Sequence, residues 1–171
     1  MEKPRKKVDA VLIKKLWSDD SQQALSALRE LRNVGHCNYL PELLKLLNET
    51  DAEEIRKELA LFLSDIKDKE CITYIVDSLN DEQFKPVKNI IVSSCWQSRL
   101  NYSDHIDTFI SIFIKEDYLT ALEAFTVIEE SLLHISEEKA KEYRDRLISS
   151  IEDIDDEKKP LLRELINLMV A

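Results

Sequence analysis

Three cysteines and three histidines are the side chains best suited to nucleophilic or metal chemistry in this chain, and they are scattered. His36 stands beside Cys37, but no further Cys or His lies near enough in sequence to complete a tetrahedral ligand set. His105 and His134 are isolated, which predicts surface or packing roles. Cys95 would need an adjacent base to act as a nucleophile. At helical spacing it falls at the edge of an apolar stripe, so a small buried thiol is expected. Glu123, Glu129 and Glu130 could in principle donate and accept protons, yet the chain has 34 acidic residues and such neighbours are commonplace. One Gly cannot build a phosphate-binding loop. The expectation is therefore no catalytic residue, no metal and no cofactor. Three cysteines, Cys37, Cys71 and Cys95, are an odd number at wide spacing. That suits reduced thiols and a cytoplasmic location rather than a disulfide framework.

Composition narrows the elements that could position any site. The 171 residues are 44% hydrophobic and 34% charged, enough apolar material for a real core. A single Gly and four Pro argue against the many turns of an all-β fold and for helices joined by short loops. The net charge of -10 opposes general nucleic-acid binding. The basic start MEKPRKK, residues 1–7, reads as a solvated tail, leaving residues 8–171 as one domain. No run of 18 apolar residues is present, so no membrane span is expected, and the basic start lacks the apolar stretch of a secretory signal.

Apolar residues recur at helical spacing along the chain. Leu40, Leu43, Leu44 and Leu47 form one stripe, Ile55, Leu59, Leu63 and Ile66 a second, and Ile72, Ile75, Val76 and Leu79 a third. Ten helices are predicted. Asp51 with Glu54 reads as a capping box, and Ser103 and Ser136 as N-caps. Pro41, Pro86 and Pro160 fall at first turns, and Gly35 suits a helix C-terminus. The helices pair, and the pairs repeat. LIKKLWSDD, LLKLLNETD, IVDSLNDEQ, ISIFIKEDY and LISSIEDID begin at residues 12, 43, 75, 110 and 147, spacings of 31, 32, 35 and 37. Two helices per such period mean an α-solenoid whose units bury their apolar faces only by stacking.

The segment NYLPELLKLLNETDAEEIRKELALFLSDIKD, residues 38–68, resembles a HEAT repeat. Pro41 lies early in the first helix, Asp51 at the turn, and Ile55 and Arg56 open the second helix, as in that family. The resemblance implies that Asp51 and Arg56 bridge adjacent repeats. Later repeats depart from the pattern: Lys88 replaces the Arg, and Trp96 stands where a small residue is usual. The chain is also similar to small bacterial HEAT-only proteins. The fold expected is all-α, a right-handed α-α superhelix of about five HEAT-like helix pairs.

In VSSCWQSRLNYSDH, residues 92–105, the composition shifts to small polar residues around a tryptophan. With Val87, Ile91, Ser94 and Ser98 on the core stripe of a helix, Trp96 falls on the opposite side, with Asn89 and Ser93. A core stripe of Ala121, Phe125, Ile128 and Leu132 places Glu123, Val127 and Glu130 in the same positions of the next second helix. In the second repeat those positions hold Lys57, Leu61 and Ser64. The resemblance implies that second helices line the concave side. A groove centred on Leu61, Trp96 and Val127 is therefore expected, with Lys57 on one side and Glu123 and Glu130 on the other. Gln97, Arg99 and Tyr102 are rim candidates. An aromatic anchor with apolar and charged neighbours suits a protein or peptide partner. The expected function is a non-catalytic, cytoplasmic interaction or scaffold module acting as a monomer. The apolar C-terminal segment PLLRELINLMVA offers a dimer as the alternative. HEAT-like DNA glycosylases and chromophore lyases are the catalytic alternatives.

Overall fold

Leu40, Leu43, Leu44 and Leu47 are each at most 2% exposed, and Ile55, Leu59, Leu63 and Ile66 are buried with them. Both stripes therefore face inward as their spacing predicts. The computed structural model describes residues 7–34 and 37–169, which carry ten α-helices and no strand. Gly35, His36 and all of the basic start except Lys7 lie outside the described residues. By packing, the chain divides into two units, residues 1–87 and 88–171.

The first unit contains α1 (Ala10–Leu16), α2 (Ser21–Val34), α3 (Leu40–Glu49), α4 (Glu53–Ser64) and α5 (Cys71–Leu79), then a 3-10 segment Glu82–Val87. Helix α1 packs on α2 and α3 on α4; in addition α2 packs on α4 and α3 on α5. First helices thus stack on first helices and second on second, as a repeat requires. Pro41 sits in the first turn of α3, where its missing N–H costs nothing. The Asp51 cap is not formed. Ala52 is the N-cap of α4, and the Thr50 hydroxyl accepts the Ala52 N–H at 3.2 Å. Arg56 Nη2 donates to the Thr50 carbonyl at 2.8 Å. Thr50 organises this turn, and Asp51 is left exposed to solvent.

The cysteines are not all the reduced thiols that their number and spacing predict. Cys37 and Cys71 are joined by a disulfide, with Cα atoms 4.9 Å apart, and only Cys95 is free. Cys37 opens the 3-10 turn before α3, and Cys71 opens α5. Their separation of 34 residues lies within the repeat spacing, so stacking α5 on α3 brings like positions together. Three thiols at wide spacing are no evidence for reduction when the fold is periodic.

The second unit contains α6 (Lys88–Ser98), α7 (Ile106–Lys115), α8 (Tyr118–Leu132), α9 (Glu137–Ser149) and α10 (Lys159–Leu168). Here α8 packs against α6, α7 and α10, and α9 packs against α7 and α10. Asp117 caps α8 by accepting the Thr120 N–H at 2.9 Å, and Ser136 caps α9 by accepting that of Lys139 at 3.3 Å. Ser103 is not a cap. Asn101 Oδ1 takes the Ser103 N–H at 2.9 Å, so the Asn two residues earlier makes the turn. On α10, Leu162 and Leu165 are fully buried, which accounts for part of the apolar C-terminal segment.

Two lysines lock α7 in place. Lys158, 1% exposed, donates from Nζ to the carbonyls of Phe113, Ile114 and Glu116 at 3.1, 2.8 and 2.8 Å. A cation at a helix C-terminus satisfies carbonyls that have no helical partner and suits the dipole. Lys88, 6% exposed, pairs with the Glu116 carboxylate at 2.7 Å. The position where the family resemblance places an Arg is thus filled by a buried ion pair.

Candidate functional site

Helix α6 buries Ile91, Ser94 and Ser98. Ser94 and Ser98 return their hydroxyls to the helix, donating to the Ile91 and Cys95 carbonyls at 2.7 and 2.8 Å. Small side chains with satisfied hydroxyls let α8 pack closely. On the other side of α6, Trp96 is half-buried, and its indole N–H donates to Glu123 Oε2 at 2.5 Å. The ring is therefore oriented rather than loose. Asn89 is exposed, and the Ser93 hydroxyl accepts from Gln97 Nε2 at 2.7 Å.

Helix α8 departs from its expected facing. Val127, expected on the open side, is only 2% exposed, whereas Phe125 and Leu132, expected in the core, are half-buried. The buried arc runs through Thr120, Ala121, Ala124, Val127, Ile128 and Ser131. Three helices pack on α8, so it buries a broader arc than one stripe. Glu130 stays exposed. Lys57 and Leu61 belong to α4 of the first unit. Lys57 pairs with Glu53 at 2.7 Å, and Leu61 is 54% exposed.

A cleft of about 280 Å³ lies at the C-terminal ends of α6 and α8, lined by Arg99, Tyr102, Val127, Glu130, Leu133 and His134 among others. Two of the groove candidates and two of the rim candidates meet here. Leu133 is 85% exposed, a large apolar side chain offered to solvent. Arg99 has a φ of 57°, the left-handed region that favours glycine at the end of a helix. Among the described residues no carboxylate pairs with its guanidinium. Beneath it, Cys95 is fully buried, and burial pushes its thiol up to about 12 despite a favourable contact with Tyr102. Burial first, and then Cys95, raise the Tyr102 phenol far above its ordinary range. The Tyr102 hydroxyl lies beside Cys95 and Ser98, but no pairing of good hydrogen-bond geometry reaches it. Neither group is a nucleophile or base near neutral pH.

The HEAT-repeat family matches residues 2–95, more than half of the chain. The chain belongs to the HEAT-repeat family. The ten helices of the described residues and their stacked pairs are those of an α-solenoid, and HEAT repeats generally mediate protein–protein interaction or scaffolding. The fold is typically non-catalytic. No curated protein matches the sequence. In this HEAT-repeat chain, Arg99, Leu133 and most of the α6–α8 surface lie beyond the matched residues. That portion nonetheless stacks α6, α8 and α10 in succession, as second helices do. No described helix is long and apolar enough to cross a membrane.

Leu133 and His134 were not among the groove candidates. Leu133 continues the apolar spacing of α8 and so resembles core, although the helix ends one residue before it. The left-handed conformation of Arg99 carried no signal in the sequence: with a single Gly in the chain, most helices end without one.

Proposed function

We propose that this HEAT-repeat chain is a non-catalytic interaction module that holds one protein partner against the α6–α8 surface. The partner places one apolar side chain on Trp96, another on Leu133, and a carboxylate on Arg99. Asn89, Ser93, Glu123 and Glu130 supply the polar edge, and Val127 forms part of the cleft floor. Lys57 and Leu61, on α4 of the first unit, take no part in this surface. The observation that carries this reading is Arg99 itself. Holding an Arg in a left-handed conformation costs about 1 kcal/mol relative to Gly. A side chain retained at such a cost, unpaired and beside an exposed Leu, fits a use outside the fold. Trp and Arg are also the residues most often found to dominate binding energy at interfaces.

The test is affinity capture from the native cell with wild type, Trp96→Ala and Arg99→Gly, all checked for helix content by circular dichroism. The expected result is one protein retained by wild type and lost from both folded variants. Equal retention by all three places the interface elsewhere and ends this reading.

A further inference from the structure

The first unit brings together a donor set that is dispersed in the sequence. The sulfurs of Cys37 and Cys71 and a carboxylate oxygen of Asp68 all lie within 4.8 Å of one another. We propose that these three residues bind a zinc ion once the disulfide is reduced, so that one pair of cysteines serves either as a covalent clip or as a metal site.

Four observations support the site. Asp68 and Cys71 are three residues apart at the start of α5, the spacing by which paired ligands of structural zinc sites are commonly presented. Two thiolates and a carboxylate form a borderline-soft set that suits Zn²⁺ rather than Mg²⁺ or Ca²⁺. Cys71 is the first residue of a nine-residue helix, where the dipole favours a thiolate. Asp68 Oδ1 accepts the Glu70 N–H at 2.9 Å, a contact that holds the carboxylate in place. The fourth position is open to water. Asp68 is exposed, and with Cys71 it borders a cleft of about 280 Å³. On that cleft Arg32 already has carboxylate partners, Glu58 at 3.4 Å and Asp65 at 3.7 Å.

The chemistry balances with a phosphine as reductant. The phosphine breaks the S–S bond and takes oxygen from water to become a phosphine oxide. The two protons of that water and the two electrons leave Cys37 and Cys71 as thiols. Each thiol then releases its proton to solvent as its sulfur bonds Zn²⁺. In a cell, a dithiol supplies the same two electrons and becomes a disulfide.

The experiment is an anaerobic titration of the phosphine-reduced full chain with Co²⁺, followed by displacement with Zn²⁺. One equivalent of Co²⁺ should give a thiolate-to-cobalt charge-transfer band that Zn²⁺ abolishes, and the oxidised chain should show none. Asp68→Asn leaves the disulfide intact and changes only an exposed side chain. It should weaken Zn²⁺ binding by about tenfold or more. A reduced chain that binds no more Co²⁺ than the double variant Cys37→Ser/Cys71→Ser overturns the proposal. So does unchanged affinity in Asp68→Asn, or a loss of helix on reduction that Zn²⁺ fails to restore.

Discussion

Arg99 occupies a backbone position that penalises its own side chain. Replacing it with Gly should relieve the left-handed strain and raise stability by about 1 kcal/mol, or roughly 2–4 °C in Tm. Thermal unfolding of Arg99→Gly checks this, and together with partner capture it separates a stability role from a binding role. Beneath Arg99, Cys95 and Tyr102 are buried in neutral form, with proton affinities raised above those of the unfolded chain. Below the unfolded thiol value of 9.0 both states keep their protons, and this contribution is fully present. As pH rises from there toward about 12, the unfolded chain loses protons that the folded one retains, so stability falls. Urea unfolding at a series of alkaline pH values should show this decline, shallower in Cys95→Ala. The burial of Cys95 was legible from its place at the stripe edge; the unmatched Tyr102 hydroxyl was not, because it arises from packing across a turn.

Helices were the most legible level of this chain. Periodic leucines and isoleucines pointed inward on α3 and α4, each of which packs against two helices. The spacing failed on α8 because three partners widen its buried arc, so Val127 turned from surface to core. Helix ends were less legible still. Asp51 lost its turn to Thr50, and nothing in the pattern singled out Lys158. That lysine makes the sharpest prediction for an element. Lys158→Ala removes the donor from three carbonyls at the end of α7 and should cost about 3 kcal/mol, read by chemical denaturation. The Lys88–Glu116 pair should behave differently from a deletion of one partner. Lys88→Ala strands a largely buried carboxylate and should cost about 3 kcal/mol, whereas Lys88→Met with Glu116→Leu should recover most of that loss.

At the scale of the whole molecule, the repeat spacing was legible and its covalent consequence was not. The 34-residue interval from Cys37 to Cys71 already matched the 31–37 residue spacing of the helix pairs. Only stacking turns like positions in successive repeats into neighbours. Closing a loop of this length restricts the unfolded chain and should stabilise it by about 3–4 kcal/mol. Each unit contains one tryptophan, Trp17 in the first and Trp96 in the second, so single-tryptophan variants can report on them separately. Reduction should lower the unfolding midpoint followed by Trp17 in Trp96→Phe more than the midpoint followed by Trp96 in Trp17→Phe. Under mechanical load the same bond acts as a tether limit. Stretched between its termini, the oxidised chain withholds the 34-residue interval from extension, so its fully drawn contour is shorter than that of the reduced chain by about 12 nm.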